Sequence, residues 1–493
     1  MPDIIELGPH RLAVHHAQGT PEAVNGGVVL PPGRVALLHG LGACDFYRHG
    51  WNSWSPTGWR NLAEPPLRIT DPIRRLTADD TAWHEEHRHH SSAVAALDAG
   101  GGEVLLLGSL GLGNPRLAAD RDTLSGWYEH GAAPWFAAIG PEAEVFRRYS
   151  ELLAKRLGGR RTPPRRHNIW SSWYSYYEDI DERTLLAELP AIAELPFEVV
   201  QFDDGWEEMV GDWQPNSKFP SGMRHLAEAV EDAGMTPGLW ISPFIALPQS
   251  KIVQDRPELF LRDADGGLAV TGYNWNTGYH ALDLTLPAAR DHLRETITTV
   301  TQDWGYRYLK LDFVYAAAAP AERAEGIGRE EVYRNGLAVV REAAGDDAYL
   351  LGSGALPLPS LGLLDAIRVG PDVGPAWTYH GLSDPSDAAA RNAVAVSASR
   401  FWLDELYDID PDVAFFRTRQ CLLTDEQRSV IADLAATCRF RAVSDPPSWL
   451  SDSERTALDT FLHSAPDVQW LSRNRARIGD RTVEFPTELP ALR

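Results

Sequence analysis

The chain has 493 residues, 44% of them hydrophobic and 23% charged, with a formal net charge of −23. This is the composition of an ordinary globular protein, long enough for two or three domains or for one large barrel with an accessory domain. The negative charge argues against nucleic acid or an anionic membrane as the main partner. No run approaches the roughly 18 apolar residues of a membrane span. The start, MPDIIELGPHRLAVHH, lacks the basic beginning and long apolar core of a signal peptide. Three cysteines (Cys44, Cys421, Cys438) are too few for a disulfide framework. The expected setting is the cytoplasm.

Residues 1–150 carry short alternating or apolar runs broken by Gly and Pro, such as GGVVLPPGRVALLHG and GGEVLLLGSLG. The spacing predicts an N-terminal β-sandwich domain. Within it, GWNSWSPTGW (Gly50–Trp59) gathers three indoles, which either pack inside the domain or reach outward. WHEEHRHH (Trp83–His90) fits neither H-E-x-x-H nor H-x-x-E-H, and a solvated strand is expected there. Residues 151–167 read as a helical linker, ending in a stretch rich in Gly, Pro and charge.

From 168 to 470 the texture changes. Eight strand-like runs recur, each followed by helix formers: NIWSSWYSYY, FEVVQFDDGW, MTPGLWISPFIA, YRYLKLDFVYAA, AYLLGSGALP, LDAIRVGPDVG, SRFWLDELY and CRFRAVSDPP. Eight β-then-α units predict an α/β fold, a (β/α)8 TIM barrel, rather than an open doubly wound sheet. The first βα loop has no Gly-rich phosphate fingerprint. Residues 471–493 are expected to form a short C-terminal tail.

In such a barrel, chemistry gathers at the C-terminal ends of the strands. Strand 1 ends with Trp173, strand 2 with Asp203, Asp204 and Trp206, strand 4 with Lys310 and Asp312, strand 6 with Arg368 and Asp372. Lys310 and Asp312 share a strand face, an expensive pair to bury without compensation. Two carboxyls flanking a bond, one ionised by neighbouring cations and one holding a proton, suit glycoside hydrolysis. Each group also has a structural alternative. Lys310 and Asp312 could line a barrel mouth as an ion pair, Asp-Asp-Gly-Trp could be a capping turn, and Arg368 with Asp372 could be a surface pair. Their joint placement at strand ends favours catalysis. No His set suited to a metal joins them, and the chemistry needs no cofactor or metal.

At these residues the chain resembles the α-galactosidases of glycoside hydrolase family 36, and more distantly family 27, from about Trp51 to about residue 445. YLKLDFVY is similar to the family's Lys-x-Asp motif, which implies Asp312 as nucleophile. IRVGPDVGPAW resembles the acid/base segment, implying Asp372 as proton donor and Arg368 as a ligand of the sugar 2-hydroxyl. FDDGW resembles the pair holding the 4- and 6-hydroxyls of galactose, here Asp203 and Asp204, and Lys310 would reach the 3- and 4-hydroxyls. Trp173 matches an indole of the sugar subsite; Trp206 and Trp54 are taken with the substrate-binding residues, Trp54 because GWNSWSPTGW resembles a segment that approaches the active site in some members. Ser353 stands in GSG where many relatives have Cys, and the residues after the barrel are expected to be too few for the family's C-terminal β-domain.

The resemblance implies a retaining α-galactosidase acting on terminal α-D-galactosyl residues of small galactosides or oligosaccharides of melibiose or raffinose type. It leaves room for a homo-oligomer. Alternatives are a galactosyl transferase of raffinose-synthase type, an α-N-acetylgalactosaminidase, and a catalytically dead sugar-binding protein.

Overall fold

Two antiparallel sheets begin the chain in this computed structural model, which describes residues 3–8, 10–16, 19–69, 71–81, 87–378 and 384–487. One sheet has six strands, running Asp3–Leu7, His10–His16, Val35–Leu38, Thr123–Tyr128, Pro115–Ala119, His89–Ser92 from edge to edge. The other has seven, with Glu103–Ser109 paired to both Val94–Gly100 and Trp135–Pro141 at its centre. Alternation decides what faces inward: in the first sheet Val35 and Leu37 are fully buried while Ala36 and Leu38 turn outward. Their inner faces share one apolar layer, with Val14, Leu37 and Leu117 on one side and Leu30, Leu97 and Leu105 on the other. The middle of the seven-stranded sheet is buried on both faces, while its edge strands Glu22–Val24 and Gly58–Asn61 are more open. Its outer residues Val104, Leu106 and Phe136 join the helix Glu142–Leu157, through Phe146, Tyr149 and Leu153, in the barrel's own core.

The parallel strands follow: β1 (His167–Ser171), β2 (Val199–Phe202), β3 (Thr236–Ile241), β4 (Tyr308–Leu311), β5 (Tyr349–Gly352), β6 (Ala366–Arg368), β7 (Asp408–Asp410, resuming at Val413–Ala414) and β8 (Phe440–Val443). All but Thr236 and Tyr349 are buried, as expected of a parallel sheet covered on both faces. The first half of β7 pairs with β6 and the second half with β8, which pairs in turn with β1, so the sheet curls round into a TIM-barrel-like α/β fold. The helices show why they cover it: in Met223–Asp232 the buried residues are Met223, Leu226, Ala227 and Val230, one stripe at helical spacing. No helix among the described residues is long and apolar enough to cross a membrane.

Two expectations need correction. The seventh strand is not SRFWLDELY, whose Phe401–Glu405 forms a tight helical turn; it is the shorter Asp408–Asp410 just after it. A short buried apolar run reads alike in either state, and the true strand is broken by Pro411 and by Asp412, which takes φ 79°. Residues 83–86 of the His-rich run lie outside the described residues. His89 begins a strand but is buried, its Nε2 3.0 Å from the Glu64 carbonyl, rather than solvated. A further three-stranded sheet spans Val468–Glu484.

Candidate active site

Asp312 follows β4 directly, its backbone N–H donated to the Ile241 carbonyl of β3. Trp240 lies opposite Lys310 in the β3–β4 ladder, and its indole N–H donates to Asp312 Oδ2 at 2.9 Å. The next backbone N–H, of Phe313, donates to Oδ1 at 3.0 Å. Phe313 holds φ 53°, an unusual conformation for a bulky residue and one that turns the chain back onto the carboxylate. Burial raises the Asp312 pKa, while the Lys310 charge and the Trp240 and Ser353 hydrogen bonds pull it down and Asp372 adds to the rise. The net direction is up. Lys310 shares the strand face with Asp312, as its spacing requires, but its ion-pair partner is Asp203, at 2.9 Å from Nζ. Burial alone would lower the Lys310 pKa; Asp203 first, then Asp312 and Asp412, hold it up.

Arg368 ends β6 with its guanidinium shared by three carboxylates: Asp410 at 3.1 Å, Asp372 at 3.0 Å and Asp412 at 3.0 Å. The break in β7 makes this possible. Asp410 Oδ1 accepts the Asp412 backbone N–H at 2.7 Å, and Asp412 accepts from the Val373 N–H at 2.8 Å and from the Tyr174 hydroxyl. One oxygen of Asp412 thereby anchors the residue next to Asp372. The Asp372 side chain is 44% exposed to the cleft. Loss of surrounding water raises its pKa, Arg368 lowers it, and Asp412 raises it again; the net direction is up.

Asp203 and Asp204 end β2. The Asp203 N–H is tied to the Ser172 hydroxyl at 2.9 Å, and Asp204 Oδ2 accepts the Trp275 indole N–H at 2.9 Å. Trp275 comes from the tip of a hairpin, Gly272–Asn274 with Thr277–Ala281. Its two turn residues, Trp275 and Asn276, both have positive φ (48° and 58°), the geometry of a type I′ turn. Among the described residues Asp204 has no ion-pair partner. Burial, and then the charge of the buried Glu207, push its pKa up to about 10, and Glu207 is raised with it.

Above these groups opens a cavity of about 310 Å³ lined by Asp312, Phe313, Asp372, Trp54, Tyr273 and Arg74, among others. The structure thus brings Asp312 and Asp372 to one space; Asp203, Asp204, Lys310 and Arg368 are buried and outside this lining, with Arg368 bonded to Asp372 and Lys310 to Asp203. Of the three indoles in Gly50–Trp59, Trp54 reaches this cavity; Trp51 is buried against Tyr315, and Trp59 lines a separate cleft. Trp173 stands just past β1, half-buried against Tyr177 and outside this lining. Trp206 is wholly buried behind the site, its indole N–H bonded to the Trp240 carbonyl at 2.9 Å, so it supports Trp240 rather than facing a ligand. Among the described residues no group of three or more His, Cys, Asp or Glu side chains is arranged to hold a metal. Asp410, Asp412, Glu207, Trp240 and Trp275 belong to the site without having stood out in the sequence.

The melibiase family model matches residues 136–342. An α-galactosidase from Thermus thermophilus, solved with p-nitrophenyl α-D-galactopyranoside, is 41% identical over 98% of this chain and 99% of its own, with a TM-score of 0.91. The curated α-galactosidase of Geobacillus stearothermophilus is 30% identical over 210 residues, 39% of this chain and 27% of that protein. The match therefore spans about a quarter of that curated relative's length. The fold extends to a family 36 α-galactosidase structure from the same organism, at 16% identity and a TM-score of 0.61 over 92% of this chain and 66% of that one. The full-length agreement with the Thermus protein places the chain in the melibiase family of glycoside hydrolases.

Proposed function

We propose that the protein is a retaining α-galactosidase of glycoside hydrolase family 36 that hydrolyses terminal α-D-galactosyl residues of small galactosides and oligosaccharides. The observation that carries this reading is the presence in one cavity of two aspartates with unlike surroundings: Asp312 fixed by hydrogen-bond donors, and Asp372 half-exposed beside one guanidinium. Asp312 attacks the anomeric carbon while Asp372 gives its proton to the departing oxygen, leaving a galactosyl ester on Asp312. Asp372 then takes a proton from water, which attacks the same carbon and releases Asp312. Asp203, Asp204 and Lys310 would hold the sugar hydroxyls, Arg368 the 2-hydroxyl, and Trp54 and Trp173 would wall the sugar site.

The chain divides on this reading into a β-sandwich domain (1–150), a helical linker (151–167), the catalytic barrel (168–470) and a C-terminal tail (471–493). The unpaired Cys44, Cys421 and Cys438 support a reducing, cytoplasmic setting. A panel of nitrophenyl glycosides differing in sugar and anomer tests the function. The α-galactoside should be cleaved with release of α-galactose first, and the α-glucoside should be rejected because carboxylates aimed at an axial hydroxyl are left unpaired by an equatorial one. Comparable kcat/KM for the two sugars, or β-galactose as first product, would refute the reading.

A further inference from the structure

Ser353 lies directly after β5, in the turn Gly352-Ser353-Gly354, and is buried. Its backbone N–H donates to the Leu311 carbonyl of β4 at 2.8 Å, which sets its side chain next to Asp312. Its Oγ accepts the indole N–H of Trp54 at 3.1 Å. An indole N–H only donates, so the serine must be the acceptor in that bond, and its own proton is left for another partner. Asp312 follows Leu311 as Ser353 follows Gly352, the facing residue of β5, so its carboxylate is the acceptor nearest to hand, and the serine helps to draw the Asp312 pKa down.

We propose that Ser353 is a positioning residue for Asp312, committed as a hydrogen-bond donor to that carboxylate by Trp54 of the N-terminal domain. The inference rests on the assignment of Asp312 as nucleophile. Donation from Trp54 polarises the hydroxyl and strengthens its bond to the carboxylate. Together with Trp240 and the Phe313 N–H, Ser353 makes a third neutral donor around Asp312, with one of the three controlled from outside the barrel.

Several contacts fix Trp54 for this task. Gly354 takes φ +65°, and a Cβ there would stand 3.1 Å from the indole ring, so the glycine lets the ring lie against the turn. Phe313 meets the ring edge-on at 5.1 Å. The loop is gripped from the barrel by the fully buried Arg400, whose guanidinium donates to the carbonyls of Asn52 at 2.7 Å, Ser55 at 3.1 Å and Ser53. The Ser53 N–H reaches the Ala355 carbonyl at 2.9 Å, beside Ser353 itself. Among the described residues the other titratable groups facing Asp312 are Lys310, Asp372 and the phenols of Tyr279 and Tyr315, with Asp203 and Arg368 next beyond Lys310 and Asp372 and the Arg74–Asp387 pair across the cavity. Of these, Tyr315 touches the pair, its ring 5.9 Å from that of Trp54, and Trp54→Phe keeps an aromatic ring at that contact.

The test is the pH profile of kcat/KM on an activated aryl α-galactoside for Ser353→Ala, Trp54→Phe, the double variant and Ser353→Thr. Loss of a donor to the carboxylate raises its pKa, so Ser353→Ala should move the acid limb to higher pH and lower kcat/KM about tenfold. Trp54→Phe keeps an aromatic ring but no N–H; it should move the same limb in the same direction by less. The double variant should match Ser353→Ala, because Trp54 acts through Ser353, and Ser353→Thr should restore the limb. An unmoved limb in Ser353→Ala, or additive losses in the double variant, would overturn the proposal. Asp312→Ala rescued by azide in parallel keeps the two claims apart. Failed rescue removes the nucleophile assignment itself, whereas rescue with additive losses removes only the relay.

Discussion

The ends of β4 and β6 carry the same side chain into the same cavity, and the protein surrounds the two copies differently. Asp312 is 8% exposed and meets fixed neutral donors, with the Lys310 charge near it but spent on Asp203. Asp372 faces the cavity, has one guanidinium beside it, and competes for that guanidinium with Asp410 and Asp412. Burial pushes both carboxyls up. Fixed donors pull toward the anion at Asp312, while at Asp372 the single guanidinium that does so is shared, and the neighbouring Asp412 carboxylate favours the proton. Two environments divide two roles between identical groups.

The most direct way to break this comparison is to remove each carboxyl in turn. Asp312→Ala should lose roughly four orders of magnitude or more in kcat with an unchanged circular dichroism spectrum. Azide should restore part of the rate and give β-galactosyl azide, the inverted product. Activity near that of the parent would exclude the role. Asp372→Ala should lose about 10²- to 10⁴-fold on melibiose, whose leaving group needs a proton, and far less in the first step on nitrophenyl galactosides. Equal losses on both substrates would show that Asp372 is no acid.

A subtler change sharpens the contrast. Asp412 raises the Asp372 pKa and anchors the Val373 backbone. Asp412→Asn leaves an amide oxygen for that N–H but removes the charge, so the alkaline limb of kcat/KM should move to lower pH. The acid limb should stay in place, with a rate loss of about tenfold or less at neutral pH. A shift of the acid limb instead would mean that the two aspartates are not separated as described.

Much of this site was legible because period 2 and strand-end position are strong signals. Lys310 and Asp312 on one face, the Asp203–Asp204 pair and Arg368 with Asp372 all emerge from the alternation of strands and helices. What stayed hidden depends on partners far apart in sequence. Lys310 finds Asp203, 107 residues away, rather than its strand neighbour. Asp410 and Asp412 carry no such signal, because Pro411 disguises their strand and the apolar run just before it has the stronger strand pattern. Trp275 owes its place to a turn that forces an indole-bearing residue to positive φ, which no propensity suggests. Trp206 errs in the other direction: beside two strand-end aspartates an indole reads as a sugar platform, yet its ring faces the barrel wall.

Asp204 offers the smallest effect and a third kind of carboxyl, with neither fixed cation nor open water. Its pKa, pushed up to about 10 by burial and by Glu207, means that the folded chain keeps a proton there which the unfolded chain releases near pH 4. Stability falls with pH wherever the folded state binds more protons than the unfolded one. The site therefore weakens the fold as pH climbs from the ordinary carboxylate value toward 10, a local cost accepted for a group that is to meet sugar hydroxyls. Asp204→Asn keeps an oxygen for the Trp275 N–H and carries no proton to lose. Its melting temperature should exceed the parent's by about 2–4 °C at pH 8, and the gain should vanish below pH 4, where both states of the parent are protonated. Its hydrolytic activity should fall sharply, because an amide offers one acceptor where the carboxyl offered two. A melting temperature that is lower at pH 8 would show that Asp204 is ionised in the folded chain, and a gain that persists unchanged into acid would show that it does not come from a proton held there.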